Sequence, residues 1–382
     1  MHIATPRSVT VVGAGLAGLR TVQRLRHGGY QGRIAWFGAE RLPPYDRPPL
    51  SKQVLRGEND KPWLLPDAGL ACLSAEIGLG HRVLELDTGR RVIRTDGGWL
   101  PYDVLVIATG ASPRRIPGLG GLVLRTLDEA RDLRARLLPA SRLAIVGAGL
   151  IGCEVAASAR SMDVDVDLID ILPGPLIRVV GPRVCDIVAG LHREHGVRLR
   201  MGTAAARAGD GRLTLADGTE LDADVVLEAI GAAPETGWLE GSALRLDDGV
   251  VCDAMGRAGD GLYAVGDVAR WDGRRGEHWT SAGEQADRVA AAILGQDPPP
   301  AVPAYWWSDQ YDIKLQGLGT PGPDDEVHLV TWGPKSRTVA FYARDHRLTG
   351  VVGFSAAAAV MKLRADIAAG SPVGDVLDRF AP

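Results

Sequence analysis

Apolar residues cluster in short unbroken runs that lead into glycine. Val9-Thr10-Val11-Val12, Leu143-Ala144-Ile145-Val146, Val104-Leu105-Val106-Ile107-Ala108, Val225-Val226-Leu227 and Leu262-Tyr263-Ala264-Val265 lack the alternating polarity of a half-exposed strand. Strands apolar on both faces belong inside a parallel sheet covered by helices, so the pattern predicts an α/β fold. Two runs feed the same turn. Gly13-Ala14-Gly15-Leu16-Ala17-Gly18 follows one and Gly147-Ala148-Gly149-Leu150-Ile151-Gly152 the other, each opening a helix. Such a turn brings unpaired backbone N–H groups and the positive end of a helix dipole to a pyrophosphate, which only glycine lets come close. The pattern also requires an acidic residue at the tip of the next strand for a ribose hydroxyl. Glu40 and Asp170 stand 22 and 18 residues beyond Gly18 and Gly152. Two Rossmann-like domains, each holding a dinucleotide, are expected.

Breaks in the pattern set the domain boundaries. Pro113 and Pro117 end the first strand–helix series, and the second glycine motif opens another, with an antiparallel excursion turning at Asp217-Gly218. Gly261 to Asp267 then reads as a third phosphate-facing strand leading into a helix, as if the chain returned to complete the first domain. Four prolines in the six positions 298–303 form a linker. Beyond it 327–332, 338–343 and 348–354 read as strands. Residues 356–369 read as a helix capped by Ser355 and stopped by Gly370 and Pro372. The expected domains are 1–111 with 235–302, then 112–234, then a C-terminal α+β domain, 303–382.

Composition narrows the classes. A formal charge of −4 and 46% hydrophobic residues give no global basic field, which argues against nucleic acid as a partner. No charged head and apolar run precede the first strand, and the longest apolar stretch, 351–361, is too short to span a bilayer. Cytoplasmic residence without membrane attachment is expected. Cys72, Cys153, Cys185 and Cys252 form no C-x-x-C or C-x-x-x-x-C pair and read as small apolar fillers. His192 and His195 read as surface residues near the end of a helix, and no metal site is expected.

Two further segments narrow the family. Pro44-Tyr45-Asp46-Arg47-Pro48-Pro49-Leu50-Ser51-Lys52 and Tyr305-Trp306-Trp307-Ser308-Asp309-Gln310-Tyr311-Asp312-Ile313-Lys314-Leu315 together resemble the oxygenase-coupled ferredoxin reductases, the group of putidaredoxin reductase and the aromatic-ring dioxygenase reductases. The resemblance runs from Val9 to about Asp375. It implies a glutathione-reductase-like pair of dinucleotide domains with FAD in the first and exchangeable NADH in the second. By similarity, Gly13, Gly15, Ala17, Gly18, Glu40, Arg47, Lys52, Val83, Arg125, Asp267, Trp279 and Trp307 contact FAD. NADH is met by Gly147, Gly149, Ile151, Gly152, Glu154, Asp170, Arg178 and Gly231.

Chemistry agrees for several of these. Lys52 follows a stiff Pro-Pro segment and can fix a positive charge beside the isoalloxazine, where reduction leaves an anion. Asp267 can accept from ribityl hydroxyls, and Trp279 can cover the ring face or simply pack. Glu154, placed in the first turn of the second glycine-motif helix, can offset the helix dipole; the resemblance implies instead a pair with Lys52 where the nicotinamide docks. Arg178 binds NADH or is solvated. Asp170 would repel a 2′-phosphate, and Ile171-Leu172-Pro173 offers no arginine to welcome one, which favours NADH over NADPH. In some relatives the ribose acid stands one residue earlier, where this chain has Ala39, so Glu40 is the substitute.

The function implied is NADH-dependent reduction of a [2Fe–2S] ferredoxin that serves a cytochrome P450 or Rieske oxygenase. Disulfide reductases need a cysteine pair that is missing, and NADH oxidases and peroxidases need a cysteine between Glu40 and Lys52. An alternative is a flavoprotein that, like apoptosis-inducing-factor relatives, answers NADH by changing its binding partners. Arg270, Arg274 and Arg275 are candidates for a basic ferredoxin-docking surface, or a solvated loop.

Overall fold

A computed structural model describes residues 6–322, 324–332 and 337–380. The chain forms two compact units, Met1–Asp46 with Lys61–Ser112 and Ala232–Ala301, and Arg47–Asp60 with Pro113–Gly231 and Val302–Pro382.

The first unit is built on a six-stranded sheet in the order Arg257–Gly259, Leu262–Ala264, Val104–Ile107, Ser8–Val12, Arg33–Gly38, Glu76–Leu79. All neighbours are parallel except the edge pair Arg257–Gly259 with Leu262–Ala264. Val9, Val11 and Val106 face the helices Leu16–His27 and Trp279–Leu294, while Val12, Leu105 and Ile107 face a second cluster with Val83, Leu86 and Ile93. Both faces are buried, which explains the unbroken apolar runs. The strand before Asp267 does not lead into a helix. It passes through one turn of 3-10 helix, Gly266–Val268, and a short hairpin before the helix begins at Trp279.

The second unit carries a four-stranded parallel sheet, Arg198–Met201, Asp165–Asp170, Arg142–Val146, Val225–Glu228. The buried Glu228 carboxylate accepts the N–H groups of Ile116 (2.5 Å) and Gly121 (2.9 Å), pinning the incoming segment to this sheet. Beyond the proline-rich linker lies an antiparallel sheet of five strands, Tyr305–Gln310, Ile313–Gly319, Arg347–Phe354, Arg337–Arg344, Glu326–Trp332. Its residues Trp306, Leu315, Tyr342, Val352 and Phe354 share one apolar cluster with Leu143, Ile145, Leu168 and Leu227. Residues 303–382, expected as the C-terminal α+β domain, lie in the same compact unit as the second glycine motif, with whose sheet they share this apolar core.

Local expectations needed correction in places. The hairpin at Asp217-Gly218 forms, with Gly218 at φ +86 and Asp217 accepting the Thr219 N–H. The helix expected over 356–369 is split into Ala357–Lys362 and Arg364–Ala369, and Ser355, at φ +50, caps nothing; Ala356 is the N-cap, without a side-chain bond. Gly370 stops the second piece in the left-handed conformation, as expected. Cys72 is exposed, unlike the other three cysteines. His192 is fully buried, whereas His195 is exposed and stacks on Tyr311. Among the described residues no helix is long and apolar enough to cross a membrane.

Candidate dinucleotide sites and a buried ion pair

The two glycine turns have the same construction. A Cβ on Gly13 would collide with the Ala108 carbonyl, and one on Gly18 with the Gly13 carbonyl. A Cβ on Gly147 would likewise strike the Ala229 carbonyl, and one on Gly152 the Gly147 carbonyl. The protein's own backbone therefore requires the first and third glycine of each motif. The middle ones, Gly15 and Gly149, face open space, with nothing within 4 Å of an added Cβ and ordinary negative φ values of −86° and −77°. Nothing in the fold demands glycine there, and the bare backbone leaves room for a ligand to approach. Each is the N-cap of a helix, Leu16–His27 or Leu150–Arg160, without a side-chain cap, and that leaves N–H groups aimed at this space. FAD and NADH pyrophosphates fit both cradles.

The loops differ in cover. Gly266 packs against Ala17, which is 8% exposed, whereas Ile151 at the corresponding place is 42% exposed. Ile171 and Ile230, next to Asp170 and Gly231, are also exposed, and Gly231 has φ +95 with open space around it. The second loop thus has an open, aliphatic rim.

The two acids expected to hold ribose, Glu40 and Asp170, are not at matching positions. Gly13 donates to the Phe37 carbonyl and Gly147 to that of Ile169, so Asp170 corresponds in register to Gly38, two residues before Glu40. Asp170 turns into its own loop and accepts the N–H groups of Ala148 (2.7 Å) and Leu172 (2.8 Å). Glu40 accepts the Tyr45 hydroxyl at 2.5 Å.

Lys52 and Glu154 meet. Their side chains are 5% and 4% exposed and Nζ lies 2.7 Å from Oε2. Glu154 is not in the first turn of its helix, where no acid stands; it occupies the second turn and points into the interior, so dipole compensation is not its role. Ser51 donates to Oε2 at 2.5 Å and Ser308 to Oε1 at 2.8 Å, while Lys52 also donates to the Pro48 carbonyl at 3.1 Å. A buried charge survives only with such partners. Sequence reasoning missed Ser308. Its signal was alternation in Tyr305–Gln310, which buries Trp306, Ser308 and Gln310 on one face.

The remaining candidates fall as follows. Arg47 donates to the carbonyl of Arg125, which stands just before the capping box Thr126–Glu129. Trp307 stacks on Tyr305 with centroids 6.0 Å apart, and Val83 is buried in strand Val83–Asp87. Trp279 opens its helix and donates to Asp46 at 2.7 Å, with the Arg20 guanidinium 5.8 Å from its ring. Asp267 lies half-buried in the 3-10 turn after Gly266, and Arg178 is exposed. The docking candidates are largely neutralised: Arg270 pairs with Asp247, and Arg275 with Asp248 and Glu277. Burial raises the Cys153 thiol well above its ordinary range and that of Cys252 to about 12, so neither is a ready thiolate.

Residues 7–286 match the model of the pyridine nucleotide-disulphide oxidoreductase family, and residues 305–377 that of a reductase C-terminal domain. The chain is 38% identical to the ferredoxin reductase component of chlorobenzene dioxygenase from Cupriavidus sp. (strain PS12), covering 94% of this chain and 93% of that one. It is 36% identical to putidaredoxin reductase of Pseudomonas putida over 90% and 87% of the two chains. A crystal structure of the covalent putidaredoxin reductase–putidaredoxin complex superposes with a TM-score of 0.91 at 31% identity, covering 96% of this chain and 94% of that one. With two glycine cradles of one design, a buried Lys–Glu pair and the C-terminal reductase sheet, the chain belongs to the pyridine nucleotide-disulphide oxidoreductase family.

Proposed function

We infer that this chain is an FAD-dependent NADH:ferredoxin oxidoreductase that passes electrons to a [2Fe–2S] ferredoxin and through it to an oxygenase. The observation that carries the inference is the pair of glycine cradles whose middle glycine faces open space in both copies. The named relatives, reductase components of ferredoxin-using oxygenase systems, support the acceptor class. The balance is one NADH and two oxidised ferredoxins giving NAD⁺, a proton and two reduced ferredoxins. FAD, when bound, takes the hydride and releases its two electrons singly.

The chain's own groups bind and orient. We assign FAD to 1–111 with 235–302, through Gly13, Gly15, Gly18, Glu40 and Asp267, with Trp279 beside the ring. NADH goes to 112–234, through Gly147, Gly149, Gly152, Asp170 and Gly231. Ile151 and its aliphatic neighbours form the rim over which NADH exchanges, whereas the first loop is closed by Gly266. Lys52 supplies a fixed positive charge at the flavin and Glu154 holds that lysine in place, without itself moving a proton. The family resemblance also assigns Ala17, Arg47, Val83, Arg125 and Trp307 to FAD, and Arg178 to NADH. Asp170, already accepting two N–H groups, keeps acceptor capacity for ribose hydroxyls and repels a 2′-phosphate. A cytoplasmic site of action suits dependence on NADH.

Anaerobic titration of the purified protein tests this. A yellow protein bleached by NADH, and far less readily by NADPH, is expected. A colourless protein, or a flavin that NADH leaves oxidised, overturns the inference.

A further inference from the structure

The strand Tyr305–Gln310 buries two polar side chains, Ser308 and Gln310, each 0% exposed, where a sheet interior ordinarily takes Val or Ile. Their hydrogen bonds run one way. Ser308 donates to Glu154 Oε1 at 2.8 Å, and Gln310 Nε2 donates to Ser308 Oγ at 3.1 Å. Gln310 Oε1 lacks a bond of good geometry, as does Nε2 of the fully buried His192, yet the two side chains interact. On its other nitrogen His192 meets the Tyr311 hydroxyl at 2.8 Å. Burial holds that phenol protonated and His192 neutral, so Tyr311 donates to Nδ1 and the ring proton sits on Nε2, facing Gln310. Tyr311 reaches this place from the hairpin between Tyr305–Gln310 and Ile313–Gly319, at φ +57, a left-handed conformation that a tyrosine adopts only when its surroundings hold it there.

We propose that Ser308 and Gln310 are positioning residues for hydride transfer, ending a chain of donors on Glu154 that keeps its carboxylate from fully neutralising Lys52. Successive donors polarise one another, so the charge on Oε1 is drawn toward Ser308. Oε2 is left to share with Ser51 and Lys52. With less negative charge facing it, the lysine presents more of its field outward. This rests on the reading that Lys52 acts on the flavin.

The test uses FAD-loaded protein. In Ser308→Ala the flavin midpoint potential is expected to become more negative. Single-turnover reduction by NADH should slow about tenfold, the effect of losing one hydrogen bond to a charged group. Ser308→Thr, which keeps the hydroxyl, should restore both, and Gln310→Met should shift both in the same direction by less. Should Ser308→Ala not retain FAD, Gln310→Met and Ser308→Thr carry the test. A wild-type potential and rate in Gln310→Met and Ser308→Ala, while Lys52→Met alters both, overturns this inference and leaves the role of Lys52 standing. An unaltered Lys52→Met overturns both.

Discussion

At the scale of single residues, what the interior does to each group decides its role. Lys52 and Glu154 are buried together, and the donors Ser51 and Ser308 on the carboxylate set how much of its negative charge faces the lysine. His192 shows the same rule without an ion partner. Burial is the main cause that lowers its pKa from the ordinary 6.5 to about 4. Between those values the unfolded chain takes up a proton that the folded chain refuses. Stability is therefore whole above the unfolded value and is lost as the pH falls toward 4. The loss is about 3 kcal/mol, to order of magnitude, at 1.36 kcal/mol per unit. Urea unfolding at pH 7 and pH 4.5 checks this: the drop should be smaller in His192→Gln by a similar amount. His195 is exposed, as expected from the sequence, whereas the burial of His192 was not legible, because the spacing of the two on a helix does not say which of them faces the neighbouring sheet.

At the scale of elements, the glycine turn separates what the fold needs from what a ligand needs. Gly149 accepts a methyl group without collision, whereas Gly152 does not. Gly149→Ala should unfold at the wild-type urea concentration yet bind NADH at least about tenfold more weakly, the factor that 1.4 kcal/mol of lost contact makes. Gly152→Ala should lose about 1–3 kcal/mol of stability from overpacking, read from the same urea curves. Equal losses in both would mean that the middle glycine is structural too. The helix Ile177–Glu194 shows how tertiary structure repairs a local break. Gly181 (φ 71°, ψ 174°) and Pro182 interrupt it, and the Tyr342 hydroxyl donates to the Val180 carbonyl at 2.6 Å.

At the scale of the whole molecule, the chain crosses from one compact unit to the other in the exposed linker 296–303, which has no regular structure. A protease cutting there should leave 303–382 attached, since Trp306, Leu315, Tyr342 and Phe354 share a core with the sheet of the second glycine motif. The nicked protein should elute from a sizing column as intact protein and separate only in denaturant; free release of the fragment would mean that this shared core is not holding it. The residues that say α/β, the two glycine turns and the strands that feed them were all legible in the sequence. They depend on spacing over a few residues, and local backbone geometry and strand periodicity act at that range. So was the partnership of Lys52 with Glu154, though only through resemblance. The sequence alone did not reveal that Glu154 lies past the first turn of its helix, or that Ser51 and Ser308 complete its partners. It also left open that two of the three candidate docking arginines, Arg270 and Arg275, pair with acids, and that the C-terminal sheet shares a core with the sheet of the second glycine motif. Those facts join residues far apart in the chain, Ser308 and Glu154 by 154 positions. Only tertiary packing brings such groups within hydrogen-bond reach, and burial then fixes their charge and partners.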